Sequence, residues 1–367
     1  MIKIDIPQAK KGEKSIEDLH WDWFCKKYNG IRNKRKRDSI LKYILKITEK
    51  DLEILIKKTL DDPEFIRLNQ TITKRLEDHK GKPVYNRWLN AIGKIFKYDD
   101  FITDKSGWNS YAYFKALGIN VCPYCNRMYV FTVNEIENKQ KKNGQSVPII
   151  SEKITAPEID HFLPQDKYPH LTCSFYNMIP SCKVCNHVKS NKENGIVYPY
   201  KEGFEKDGTF RVYYNELPDN FYSLNQVGVK IRKTTPFSSN AVQKQEEEDK
   251  CSRIDNSVKT FYLTKIYEEH TIELDDLFRR YRNYCHPKIK DILRLFHEDE
   301  LNNLEETSNK LDENQIKAIL SLYAKKMKNL FLGLPLGVQN KQYPLRKFKE
   351  DIIEQLDETV KKMRNEK

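Results

Sequence analysis

Two Cys-x-x-Cys pairs, Cys122/Cys125 and Cys182/Cys185, lie on either side of residues 126–181. A pair at that spacing supplies two corners of a tetrahedral zinc site, and two pairs supply all four. The constraint on folding is strong, because both ends of the intervening segment must meet at one ion. Four thiolates leave no open coordination position. The Zn2+ implied here is therefore a structural staple, standing in for the core that so short a module lacks.

Cys122-Pro-Tyr-Cys125 also resembles the redox motif of glutaredoxins. Such a motif caps a helix, whose N-terminal dipole lowers the thiol pKa. Here a β-branched and aromatic run follows the pair, no thioredoxin-type βαβ pattern surrounds it, and the second pair gives it partners. Zinc is the preferred reading. Cys25, Cys173, Cys251 and Cys285 are scattered and read as small buried hydrophobes.

The 367-residue chain is 38% hydrophobic and 32% charged, with a formal net charge of +12. That describes a polar globular protein and favours a polyanionic partner, nucleic acid above all. No apolar run approaches the roughly 18 residues of a membrane helix, so no membrane partner is expected. The start, Met1-Ile-Lys-Ile-Asp-Ile-Pro, has no apolar h-region of a secretory signal. A cytoplasmic protein is expected, in a compartment where disulfides do not persist.

Gly and Pro are sparse, at 13 and 15 residues, so helices are expected to dominate an α+β fold. Residues 1–118 read as a helical N-terminal domain, since Ile40, Leu41, Ile44, Leu45, Leu52, Leu55 and Ile56 recur at helical spacing. Further helices are predicted at 65–76, 85–96 and 110–117, the last closed by Gly118. At Ile119 a zinc-stapled module of residues 119–200 begins. Its 127–133 run is strand-like, and 135–146 reads as a polar hairpin tip. Residues 201–367 read as a small sheet (209–214 and 227–231) followed by a helical C-terminal domain. A polar linker is expected at 238–250, then helices at 258–284, 287–296, 313–331 and 345–363, with a break at 333–337.

Within the module, Glu158-Ile-Asp-His-Phe-Leu-Pro, Asn177 and Cys185-Asn-His-Val-Lys-Ser supply what metal-assisted phosphodiester hydrolysis needs. Asp160 offers an anionic oxygen and Asn186 an uncharged amide oxygen to a catalytic Mg2+ or Mn2+, which keeps its remaining positions for water and phosphate. His161, with an ordinary pKa of about 6.5, is the base. Asn177 would hold the loop or fix the imidazole. Lys189 lies on roughly the same helical face as Asn186 and would meet a phosphate, as would His187. Neighbours on a strand point to opposite faces, so joint use of Asp160 and His161 implies a bent strand end near Pro164. Taken singly, an Asp-His pair is common and an Asn is usually a turn or cap residue. Their order along the chain carries the reading.

In that order they resemble the HNH endonucleases, the ββα-metal or His-Me finger type with paired Cys-x-x-Cys knuckles. The order is similar to that in the HNH domain of CRISPR effector nucleases and in phage junction-resolving nucleases. The resemblance covers roughly residues 119–195. It implies a central ββα-metal module, a DNA substrate, Asp160 and Asn186 on the catalytic metal, His161 as general base and Asn177 as the central Asn. His187 is the rival to Asn186 as metal ligand, although neighbours on a helix diverge by about 100°. More loosely, the spacing resembles HNH proteins encoded beside ATPases in bacterial anti-phage defence, such as the Septu type. This sequence has no G-x-x-x-x-G-K-[ST], so a partner ATPase would do any nucleotide gating. The alternative is a noncatalytic zinc-dependent DNA-binding or adaptor protein.

Outside the module, the basic run 32–37 and two aromatic–basic groups are candidate contacts for DNA. One group is Tyr111, Tyr113 and Phe114, near Lys115; the other is Arg279, Arg280, Tyr281, Arg282 and Tyr284. A core role is the commoner fate of aromatics at helical spacing.

Overall fold

Capping residues set the helical first part of the chain. In a computed structural model that describes residues 1–365 except 32, 106, 141–145, 214–227, 234–240, 286–321, 323–324 and 336–341, α1 (Ile16–Asn29) opens on Ser15, whose hydroxyl accepts the Asp18 N–H at 3.1 Å. α2 (Lys34–Ser39) runs into a π-helical turn at Ile40–Leu45. α3 (Glu49–Lys57) begins with a Thr48/Asp51 capping box, and α4 (Pro63–Glu77) with Asp62 followed by proline. α5 (Pro83–Ile95), α6 (Tyr98–Thr103) and α7 (Ser110–Leu117) complete the series. Gly118 ends α7 at φ 61°, the left-handed conformation expected of it.

Among the described residues three two-stranded antiparallel sheets follow: β1 (Val133–Gln140) with β2 (Ser146–Thr155), β3 (Glu158–His161) with β4 (Met178–Ser181), and β5 (Gly208–Tyr213) with β6 (Gly228–Lys233). α8 (Lys183–Lys189) comes directly after β4. The chain continues through α9 (Ala241–Thr260), α10 (Leu263–Glu268), α11 (Thr271–Cys285) and α12 (Arg346–Asn365). The architecture is mainly helical α+β, as composition implies, and no helix among the described residues is long and apolar enough to cross a membrane.

Two compact units divide the chain: Met1–Glu205 with Ser238–Phe261, and Lys206–Phe237 with Tyr262–Lys367. In the first, an aromatic core joins helices to the central sheet. His20, Trp23, Phe101, Tyr113 and Phe175 pack ring against ring. Tyr111, Tyr113 and Phe114 are buried here, and the Tyr113 hydroxyl donates to the Met178 carbonyl of β4 at 2.5 Å. These rings are core, not a groove. Arg37 of the basic run is likewise turned inward, 4.1 Å over the Tyr28 ring and bonded to the Tyr28 carbonyl.

In the second unit, α12 lies across β5 and α10 beside β6. Phe210, Tyr267 and Phe348 form its aromatic centre. Arg279 and Arg280 are both tied to Asp276.

Several boundaries differ from the sequence reading, each for a physical reason. Of residues 127–133 only Val133 belongs to a strand, the start of β1; before it the chain makes a single bridge, Val121 to Tyr129, because it turns back there around the first cysteine pair. The stretch from 135 is strand, not hairpin tip. Its partner β2 contributes Val147, Ile149 and Ile150, so one side of the ribbon carries most of the apolar signal. Residues 241–250 are helix, not linker, since Gln, Lys and Glu are good helix formers even without an apolar stripe. The helix expected at 258–284 is interrupted at Tyr262, φ 51°. The helix expected at 287–296, most of that at 313–331 and the end of the break at 333–337 lie outside the described residues; 325–331 is helical.

Candidate functional site

The site is built on β3, β4 and α8. Register pairs Glu158 with Ser181, Ile159 with Pro180, Asp160 with Ile179 and His161 with Met178. Alternation along β3 sends Glu158 and Asp160 to one face and His161 to the other. A single residue, the N-cap Cys182, turns the chain from β4 into α8. Asn186 and Lys189, three apart, then share the helix face that meets β3. Asn186 Nδ2 donates to Glu158 Oε2 at 2.8 Å, and Lys189 Nζ donates to Asp160 Oδ1 at 3.0 Å.

The cysteines hold this geometry. Cys122, Cys125, Cys182 and Cys185 are all buried, and their Sγ atoms lie within 4.8 Å of one another. That suits a tetrahedral ion with Zn–S bonds of about 2.3 Å. The four thiols bond one another and shift in opposite directions: hydrogen bonds led by that to Cys122 hold Cys125 and Cys182 below the usual thiol range, while burial pushes Cys122 up and the bond to Cys122 pushes Cys185 up. The first pair sits in a turn rather than at a helix start, which removes the glutaredoxin geometry. A structural Zn2+ fits these four residues.

Asp160 is 3% exposed and Lys189 1%. Besides Lys189, the carboxylate accepts the Tyr124 hydroxyl at 2.5 Å. Burial raises its pKa, opposed by the Lys189 charge and by the hydrogen bond from Tyr124. Lys189 also donates to the His161 carbonyl at 2.8 Å. Its ammonium is thus turned inward, away from the phosphate contact read from sequence.

His161 is half-buried. Its Nε2 lies 3.0 Å from the Thr172 carbonyl, and the Tyr98 ring packs edge-on at 4.8 Å. A carbonyl only accepts, so Nε2 carries the proton and Nδ1 of the neutral ring keeps its lone pair. Burial lowers the imidazole pKa, which keeps the ring neutral.

Asn177 is fully buried and serves the loop. Its Oδ1 accepts the Leu163 N–H at 2.7 Å, and its Nδ2 donates to the Leu163 and Leu171 carbonyls, each at 3.1 Å. It ties residues 162–171 down behind His161. His187 is exposed on α8. The structure therefore gathers Asp160, Asn186 and Lys189 on the β3–α8 face, His161 on the opposite side of the same strand, and Asn177 beneath the loop. Sequence reasoning missed Glu158, Tyr124, Thr172 and Tyr98. Glu158 was legible, because it stands two residues before Asp160 and so shares its face. The other three are fixed only by tertiary packing.

These features define an α+β chain with a four-cysteine metal centre and a short β–β–α unit beside it. A stretch of 53 residues is 40% identical to Septu protein PtuB of Bacillus thuringiensis, covering 14% of this chain and 21% of that protein. The match thus spans about a fifth of the curated relative's length. No family model matches the chain, and no solved structure matches it.

Proposed function

We propose that this chain is a metal-dependent HNH-type endonuclease that hydrolyses DNA phosphodiester bonds, acting in a Septu-related anti-phage defence system with a partner ATPase. The observation that carries the reading is the β3–β4–α8 unit itself. Stapled by four cysteines, it combines an imidazole of fixed tautomer with carboxylate and amide side chains on the adjoining helix–strand face. Residues 119–200 are its nuclease module. The defence setting rests on the likeness to PtuB.

The residues fit a hard divalent cation. Apart from Lys189, the polar side chains on the β3–α8 face are, or can present, oxygen ligands: Glu158, Asp160 and the Asn186 amide. Lys189 already neutralises Asp160 at 3.0 Å, so the unpaired negative charge that would attract a cation on this face is that of Glu158. Glu158 and Asn186 are the more solvent-facing pair, and turning the Asn186 amide over presents Oδ1 beside Glu158. Asp160, Asn186 and, additionally, Glu158 would hold the Mg2+ or Mn2+. When bound, such an ion supplies charge neutralisation at the scissile phosphate and the departing 3′ oxygen.

The chain's own residues do the rest. His161 Nδ1 takes the proton from the attacking water while Nε2–H stays on the Thr172 carbonyl, fixing the ring plane. Asn177 keeps that loop from moving. Lys189 keeps Asp160 ionised and aimed at α8.

Plasmid nicking by the zinc-loaded full chain, with and without Mg2+, tests the activity. His161→Ala is expected to lower the rate by about 100-fold or more while DNA binding persists; equal nicking would refute the base assignment. A noncatalytic DNA-binding or adaptor role is the second reading. It is favoured by one fact, that both Asp160 oxygens already have protein partners. On that reading Asp160→Ala impairs folding and no magnesium-dependent nicking is seen.

A further inference from the structure

A cleft of about 640 Å³ opens beside the candidate base. α5 presents Tyr85, Leu89 and Gly93 to it, four residues apart and hence on one helix face. Phe96 and Tyr98 form another part of the wall, and Thr172 lies on the same lining. Tyr98 and Thr172 are the two residues that fix His161, the first by its ring at 4.8 Å, the second by its carbonyl at 3.0 Å. Cleft and imidazole therefore share a boundary. A Cβ built on Gly93 meets nothing within 4 Å, so the α5 wall is open there.

The lining chemistry is selective. The aromatic and apolar side chains suit a flat ring. Lys80 and Lys97 are balanced by Asp99 and Asp166, and Lys97 is already paired with Asp100 at 2.7 Å. A group carrying several negative charges gains little from such a balance. A neutral heteroaromatic ring gains stacking area, and the carboxylates are acceptors for its exocyclic amines.

We propose that this cleft is a nucleobase subsite, which takes one unpaired base of a DNA strand and thereby sets its neighbouring phosphate against His161. The proposal rests on the nuclease reading above and gives it a substrate class: DNA with an unpaired, bulged or single-stranded nucleotide at the cut. A fully stacked duplex has no base free to enter.

The probe is a DNA duplex carrying 2-aminopurine as a single-nucleotide bulge, compared with its fully paired counterpart. Binding is measured on the full zinc-loaded chain bearing His161→Ala, so that nothing is cut. The bulged duplex is expected to bind about tenfold more tightly, the order of one stacked base, with quenching of the 2-aminopurine emission. Gly93→Phe, which fills the cleft from a helical position with open space, is expected to reduce the preference to within twofold. Tyr85→Ala is expected to weaken the preference as well, and serves where the bulkier variant fails to fold; zinc content checks folding in each case. Equal binding of the two duplexes, or a preference that survives both variants, overturns the subsite. In a parallel assay on the zinc-loaded wild-type chain, nicking of matched duplex without preference leaves the nuclease reading standing and removes the cleft. A bulge preference in a chain that never nicks keeps the cleft and removes the nuclease.

Discussion

Each unit of the molecule contains a buried lysine–aspartate pair, and the two do different work. In the second unit Lys347 and Asp351, one turn apart on α12, pair at 2.9 Å, and Asp351 accepts the Phe210 N–H of β5 at 2.8 Å. Gln355, one turn further, takes both the N–H and the carbonyl of Val212. That pair is a helix-to-strand clasp, satisfying backbone groups at a sheet edge. In the first unit Lys189 and Asp160 pair at 3.0 Å between helix and strand. Beside them stands a solvent-facing carboxylate–amide pair, and on the other side of the same strand an imidazole with one free nitrogen. A buried ion pair is thus weak grounds for function by itself. What surrounds it separates scaffold from candidate site.

The largest effect should come from the staple, which among the described residues belongs to the first unit alone. Structural zinc is worth on the order of 10 kcal/mol or more to small modules. Cys182→Ser is therefore expected to lose zinc and unfold residues 119–200, while amide protection in α12 is unchanged. Hydrogen exchange with metal analysis checks this, and a folded, zinc-free variant would remove the staple from the account.

Removing one partner of either buried pair comes next. Lys189→Met and Lys347→Met should each destabilise their own unit by about 3–5 kcal/mol, seen in denaturant unfolding. The pairs should then part company. Asp160→Asn is expected to weaken Mn2+ binding about tenfold or more, whereas Asp351→Asn leaves it unchanged. Identical metal behaviour in the two variants would break the contrast.

Acid should also act on the first unit, through two buried imidazoles. His20 is pushed down to about 4 by burial, its Nε2 on the Cys173 carbonyl and its Nδ1 accepting the Trp108 N–H. His170 is pushed down to about 3, with Nδ1 buried and unpaired. Both folded pKa values lie below the unfolded 6.5, so the unfolded chain binds more protons between. Stability is complete above pH 6.5 and falls as pH drops, by about 1.4 kcal/mol per pH unit for each imidazole. The loss for each ends at its own folded value. Unfolding of the first unit followed from pH 7 to 5 measures it; a flat profile contradicts the burial of these rings. The smallest effect is a backbone control within the same unit. Gly118→Ala, at φ 61°, should cost about 1 kcal/mol with no change in zinc content.

Much of this was legible in the sequence, and unevenly so. The two cysteine pairs specified the staple, and Gly118 specified a helix end, whereas the caps Ser15 and Asp62 emerged only in the structure. The separation of Asp160 from His161 across β3 was foreseeable from strand alternation, whereas the expected bend at Pro164 left β3 itself regular. Lys189 was read as a surface contact because its spacing places it beside Asn186. Spacing does not say whether a lysine points outward or is drawn in by a carboxylate 29 residues earlier. Tyr124 was hidden inside a motif read only for its cysteines. Thr172 acts through a backbone carbonyl, which carries no side-chain signature at all. The two-unit division, with 238–261 returning to the first unit, depends on contacts distant in sequence.

The most direct measurement is Mn2+ binding to the zinc-loaded full chain, followed by electron paramagnetic resonance, because it needs neither substrate nor partner. Wild type should bind one Mn2+ beyond the zinc. Asn186→Ala should lose most of that affinity, and so should Glu158→Gln, which keeps an acceptor oxygen for Asn186 but no charge. A chain that binds no Mn2+, or binds it equally well in both variants, would contradict a metal-assisted site on the β3–α8 face.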